Sequence, residues 1–253
     1  MEIYVIIGII LLAFVCEFID SSFGGGYGTI LTPVFLLFGL DPFLIIPSIL
    51  LSEIATGFIS CFFHHKRNNV NFQDKTEKSF HIAIVIGTIG VAATIITAFF
   101  VIKLPGFYVK LYIGLLVASM GVLLLLRITY DFSWKRIIIV GALSAFNKTI
   151  SGGGYGPLIT AGQVVGGQGT KKSIGTTQFC EGMVCVAGII SYAIFRGSID
   201  LIFPLILMMG AVPATPVASL FVGKIKREEL LKKLLGIICI TLGIFSLIKL
   251  LVS

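Results

Sequence analysis

Two glycine clusters carry the chemistry that can be read first. Gly24-Gly25-Gly26-Tyr27-Gly28 recurs as Gly152-Gly153-Gly154-Tyr155-Gly156, a shift of 152 − 24 = 128. Three consecutive glycines cost roughly 1 kcal/mol each against alanine in a helix, so a helix entering either cluster is expected to break there. A new helix should then start near Thr29 in the first copy and near Leu158 in the second. A helix start presents unpaired N–H groups and the positive end of the dipole, and glycine lets a ligand approach that backbone closely. Such a place suits an anion, with the ten residues of the two pentapeptides as its binding backbone. The plainer reading is that the glycines let helices pack closely, as small residues do in membranes.

Ionisable and polar residues stand close to both clusters. The same shift of 128 superposes Glu53 on Glu181, Asp20 on Lys148 and Thr32 on Thr160, which marks a duplication. Charged groups inside a bilayer are costly, and each is a functional hypothesis by default. Glu53 and Glu181 are either carriers of a proton coupled to substrate movement or acceptors that hold the broken helices. For Asp20 and Lys148 three arrangements are open. They pair across the symmetry axis, or Lys148 faces the anion while Asp20 orients it, or both snorkel from helix ends. Thr176, Thr177 and Gln178 offer neutral hydrogen bonds to substrate oxygens. Their counterparts Ser48, Ile49 and Leu50 are mostly apolar, so the site should be lopsided.

The elements that must position these residues follow from composition. The 253 residues are 57% hydrophobic and only 12% charged, with a mean hydropathy of +1.05. Soluble domains hold about 25% charged residues, so this is an all-α polytopic membrane protein. Apolar stretches stand at 3–21, 43–63, 81–102, 106–126, 137–150, 173–195, 199–221 and 234–252. Two shorter ones, 28–40 and 156–168, follow the glycine clusters. If both short stretches cross, 14 basic residues collect on one side and four on the other, with Lys148 inside a span. If neither crosses, the division is nine against nine. The positive-inside rule therefore predicts about ten spans with both termini outside. Five spans per half is odd, so the repeats, 1–126 and 127–253, are expected to be inverted around Gly-broken helices within one transmembrane domain.

Several chemistries find no residues to carry them. The net charge of +7 reflects basic loops at a membrane face rather than nucleic-acid binding. Cys16, Cys61, Cys180, Cys185 and Cys239 lack metal-ligand spacing and read as packing residues. His64, His65, Lys66 and Arg67 read as an anchor at the cytoplasmic interface, not as a metal site. No nucleotide-binding, zinc-protease or nucleophile-elbow signature occurs, so no cofactor, metal or enzymatic activity is expected.

The stretch Ser22 to Gly28 followed by Thr32-Pro33, its repeat Ser151 to Gly156, and Ser173-Ile174-Gly175-Thr176-Thr177 leading to Arg196 to Asp200 resemble the sulfite exporter TauE/SafE family, also called the toluene sulfonate uptake permeases. The resemblance spans essentially the whole chain. It implies transport of a small sulfur-containing anion, such as sulfite, a sulfonate or thiosulfate, across the cytoplasmic membrane. Glu53, Glu181 and Lys148 lie outside the matched motifs, so their roles rest on the physical argument alone. The competing expectation is a passive anion channel, or a cation or proton carrier that uses the glutamates.

Overall fold

A chain this apolar must satisfy each backbone group within its own segment, which in a bilayer means helices. The computed structural model describes residues 2–101, 103–126, 133–197, 199–222 and 228–252. The expected boundary between the halves, at 126 and 127, falls at the edge of that set. Arg127, Lys224, Lys226 and Arg227 of the charge count lie outside it. Ten helices run through the described residues: α1 (Ile3–Phe23), α2 (Tyr27–Leu37), α3 (Pro42–Lys66), α4 (Lys78–Val101), α5 (Gly106–Leu125), α6 (Trp134–Ser151), α7 (Tyr155–Val165), α8 (Thr170–Arg196), α9 (Ile202–Phe221) and α10 (Glu228–Val252).

Seven of these, all except α2, α6 and α7, are long and apolar enough to cross a membrane. Helix α6 has 18 residues, but Ser144, Asn147, Lys148, Thr149 and Ser151 are polar and buried. Helices α2 and α7 have 11 residues each. At 1.5 Å per residue they reach about 16 Å, roughly half of a bilayer core. Both begin two residues earlier than expected or more, at the tyrosine of the pentapeptide, because the third glycine already serves as N-cap. Lys249 closes the far end of α2 by donating to the carbonyls of Leu37 at 2.6 Å and Leu36 at 3.3 Å.

Small residues set the helix directions. Gly114 of α5 lies against Leu247 and Gly243 of α10, while Gly121 lies against Gly236 and Ile240, so these helices run antiparallel. Helices α3 and α8 do the same, with Gly188 on Leu50 and Gly57 on Gln178 and Gly182. By contrast α1 and α9 run in one direction, with Gly210 on Ile10 and Phe18 against Phe221. Helices α4 and α6 repeat that arrangement, with Gly141 on Ile86 and Gly90 near Ala145. Under the shift of 128, α1 with α9 becomes α6 with α4, and α3 with α9 becomes α8 with α4; all four pairs are packed. Helices related by the shift of 128 thus pack crosswise, with α1 on α9 and α6 on α4.

Ile3, Ile7, Leu11 and Val15 form one exposed stripe of α1, as expected of a helix facing lipid. Ile45, Ile46, Ile49 and Leu50 of α3 join Leu31, Phe35, Phe203 and Leu207 in an apolar cluster that fills the half of the bundle where α3 begins. Where α3 ends, the interior is polar. The helix continues to Lys66, and His64 is wholly buried, which corrects its expected place at the interface. Its Nε2 lies 3.0 Å from the Ser21 carbonyl, and Arg67 donates to Ser219 Oγ at 2.9 Å. His64 and Arg67 thus tie α3 to α1 and α9, while Lys66 and Arg67 are exposed.

Candidate functional site

Helices α1 and α6 stop at the glycine clusters because Gly24 and Gly152 take left-handed conformations, with φ of 78° and 70°, that close the last turn onto Asp20 and Lys148 carbonyls. Asp20 and Lys148 then part in role. Asp20 Oδ1 accepts from the Tyr27 N–H at 3.1 Å, so its carboxylate sits on the positive end of α2. Its Oδ2 accepts from Gln178 Nε2 at 2.6 Å. Lys148 turns the other way and makes ion pairs with both Glu53 and Glu181, the latter at 2.7 Å. The open pairing of Asp20 with Lys148 is thereby settled: each has other partners.

The triad joins the third helices of the two halves, α3 and α8, through one ammonium from α6. All three side chains are buried, at most 4% exposed. Glu53 Oε1 and Glu181 Oε2 have no hydrogen-bond partner, while Glu53 Oε2 lies 3.8 Å from Cys185 Sγ. One ammonium compensates one carboxylate, so the set has spare capacity for a proton or a second cation.

The two glycine loops do not face each other across a gap. The first turn of each short helix lies on the other helix's loop: Gly28 on Gly152 and Gly153, and Gly156 on Gly24 and Gly25. A Cβ at Gly25, Gly28, Gly153 or Gly156 would meet backbone, whereas one at Gly24 or Gly152 would meet the Thr160 or Thr32 side chain. The contact is reciprocal under the shift of 128, as is the placing of Thr160 over Gly24 and Thr32 over Gly152. The Gly154 N–H donates to Thr29 Oγ1 at 3.0 Å, and the Thr160 hydroxyl donates to the Gly24 carbonyl at 2.7 Å.

Around the crossing several polar side chains are bonded to one another, while Thr32 Oγ1 and Gln163 Oε1 have no partner. Gln163 Nε2 donates to Thr177 Oγ1 at 2.9 Å, and Thr177 lies 3.0 Å from Thr160. Thr176 donates to the Lys172 carbonyl at 2.7 Å. Tyr27 reaches Ser52 at 2.8 Å, whereas the buried Tyr155 hydroxyl has no partner. At the positions of α3 that correspond to Thr176, Thr177 and Gln178, Ser48 donates to the Leu44 carbonyl at 2.7 Å, and Ile49 and Leu50 belong to the apolar cluster.

A cavity of about 690 Å³ opens beside this network. Lys78, Lys171, Lys172 and Glu77 line it together with Asn68, Ser22, Phe23, Ile174 and Val222. It therefore reaches the residue before Gly24. Lys172 and Glu77 bridge its rim at 3.1 Å. In the neighbouring loop, hydrogen bonds from the Thr76 hydroxyl and N–H hold the Asp74 carboxyl below its ordinary range. Among the described residues no group of three or more His, Cys, Asp or Glu has the geometry of a metal site.

The sequence reading passed over Glu17, Ser21 and Ser60. Glu17 is fully buried in α1, a signal of the same kind as Glu53, but it has no acidic counterpart at the shift of 128, where Ala145 stands.

A model of the sulfite exporter TauE/SafE family matches residues 9–246. The probable membrane transporter protein YtnM of Bacillus subtilis (strain 168) is 28% identical over 222 residues, covering 82% of this chain and 71% of that protein. No solved structure matches the chain.

Proposed function

Because the chain belongs to the sulfite exporter TauE/SafE family of multi-pass membrane transporters, we propose that it is a secondary transporter of a small sulfur-containing anion of the sulfite, sulfonate or thiosulfate class. It works by alternating access across the cytoplasmic membrane. The observation that carries the reading is the crossing of the two glycine loops beside a cavity ringed by lysines. Opposed helix starts at a repeat interface are the usual place for an anionic substrate in such folds. The antiparallel course of the mates α3 and α8, and of α5 and α10, supports inverted repeats, because a two-fold axis in the membrane plane reverses each helix it copies. On this topology α2 and α7, though short, each carry the chain back to the opposite side, giving ten membrane segments.

In this reading the anion enters from the basic face between Lys78, Lys171 and Lys172 and passes Ser22 and Phe23 toward the crossing. There Thr160, Thr177 and Gln163 exchange their mutual hydrogen bonds for substrate oxygens. Gln178 and the glycine N–H groups complete the site, with Asp20 holding α2 in place. The apolar cluster of α3, α2 and α9 closes the other side. The Glu53–Lys148–Glu181 triad, bridging the two halves, couples the rocking of one half against the other to a proton.

Purified protein in proteoliposomes should show saturable counterflow of labelled sulfite, thiosulfate or a simple sulfonate. Folded protein that moves none of them overturns the substrate class. Unitary currents in a planar bilayer would instead favour a passive channel. Replacing Glu181 by Gln removes one titratable group from the triad and should flatten the pH dependence of net uptake. A pH profile identical to the wild type would reduce Glu181 to a structural partner of Lys148.

A further inference from the structure

Helix α3 carries a buried polar stripe that the triad does not account for. Ser52, Thr56, Ser60 and His64 recur at every fourth residue and are each at most 1% exposed. They cover three turns of one face, about 18 Å. The positions at the shift of 128 on α8 are Cys180, Val184, Gly188 and Tyr192, so the stripe belongs to one half only. A duplicated fold has no packing need for it, since the mate helix is buried in the equivalent place without it.

Glu17 of α1 faces this stripe. Ser21 Oγ lies 2.6 Å from Glu17 Oε1 and 2.9 Å from Ser60 Oγ. A hydroxyl has one hydrogen, so when Ser21 donates to the carboxylate it accepts from Ser60. The chain Ser60 to Ser21 to Glu17 is polarised toward the carboxylate and reverses when Glu17 is protonated. Glu17 Oε2 has no partner. His64 Nε2 must carry its hydrogen, because its partner is the Ser21 carbonyl. His64 Nδ1 then accepts from Asn69 at 3.2 Å, and Asn69 lines the basic-face cavity. Helices α1 and α3 meet at Ser21, which lies against both Ser60 and His64, and Thr56 is the member of the stripe one turn before Ser60. One turn further on is Ser52, bonded to Tyr27 and adjacent to Glu53 in the chain.

We propose that Glu17 is a proton relay between the basic-face cavity and the Glu53–Lys148–Glu181 triad; this rests on the proton-coupled transport proposed above. A proton arriving at Ser60 forms a new O–H bond there as the Ser60 proton moves to Ser21 and the Ser21 proton moves to Glu17 Oε1. Each hydroxyl ends with one hydrogen and the carboxylate is neutralised. The ionisable groups around Glu17 are Cys16 and Asp20 on its own helix, Tyr27 on α2, His64 and Glu53 on α3, and Glu181 on α8. Helix α9, packed along α1, has none. Glu17 is the member of this set whose carboxylate is joined to the stripe through hydroxyls.

Glu17→Gln in proteoliposomes tests the relay. Labelled thiosulfate exchange without a pH gradient should stay within about twofold of wild type, while proton-coupled net uptake should fall roughly tenfold or more, as when a positioned proton-transfer group is lost. Ser21→Ala, which breaks the chain without changing charge, should do the same, and Glu17→Asp should restore part of the uptake. Unchanged proton uptake in Glu17→Gln, or loss of exchange and uptake together in folded protein, overturns the relay. A second readout needs no substrate: among the infrared bands of protonated buried carboxyls that follow pH in wild type, one component should be lost in Glu17→Gln while those of Glu53 and Glu181 remain. If wild type moves no sulfur anion, the transport reading fails, while the infrared spectrum still decides whether Glu17 takes up a proton; a Glu17→Gln spectrum identical to wild type rejects the relay.

Discussion

Lys148→Ala is expected to abolish anion flux and to lower the stability of the folded protein. The side chain is 1% exposed and pairs with Glu53 and Glu181 together. Removing it leaves two carboxylates facing each other in the interior, where breaking a buried pair costs about 3–5 kcal/mol. Thermal unfolding in detergent should therefore show a clear drop in midpoint. Combining Lys148→Met with Glu53→Gln and Glu181→Gln removes the uncompensated charge as well, and should recover most of the midpoint without recovering flux. That separates the triad's structural part, which neutral residues can replace, from its coupling part, which they cannot. Wild-type flux in Lys148→Ala would remove the triad from the mechanism.

The triad also shows how far residue types alone lead. The glycine repeat and the matched glutamates were legible, because a shared shift of 128 needs only counting. The ten helices were legible too, since long apolar runs leave the backbone no alternative to helix. The partner of Lys148 was not. Repeat symmetry offered a pair with Asp20 as one of three arrangements, but Asp20 is taken by the Tyr27 N–H and Gln178, and Lys148 reaches Glu53 of α3 and Glu181 of α8 instead. His64 misled for a related reason. In the chain it heads a basic run, and only the structure shows that the ring points at the Ser21 carbonyl of α1 while Arg67 reaches Ser219 of α9. Glu17 was readable as a charge within an apolar run, yet it lies outside the repeat, and a search led by symmetry does not reach it.

The glycine crossing sets the last expectation. Gly28→Ala should reduce flux by roughly a hundredfold, the order of loss that follows a displacement of about 1 Å at a working site. A Cβ at Gly28 would fall on the Gly152 carbonyl, and one at its mate Gly156 on the Gly24 carbonyl and Gly25 Cα. Backbone cannot swing aside as a side chain can, so the two loops must separate, at an overpacking cost of about 1–3 kcal/mol. Gly156→Ala should match Gly28→Ala, because the contact is reciprocal. Gly8→Ala is the control: it lies on an exposed face of α1 with nothing within 4 Å of the new methyl, and alanine there favours the helix. Flux assays alongside a folding check by gel filtration decide the matter. If both crossing variants fold and transport like Gly8→Ala, the loops tolerate separation and the substrate pathway lies elsewhere. If both fold and fail, close approach of the two backbones is itself the functional requirement, which explains why the residue at each contact has no side chain.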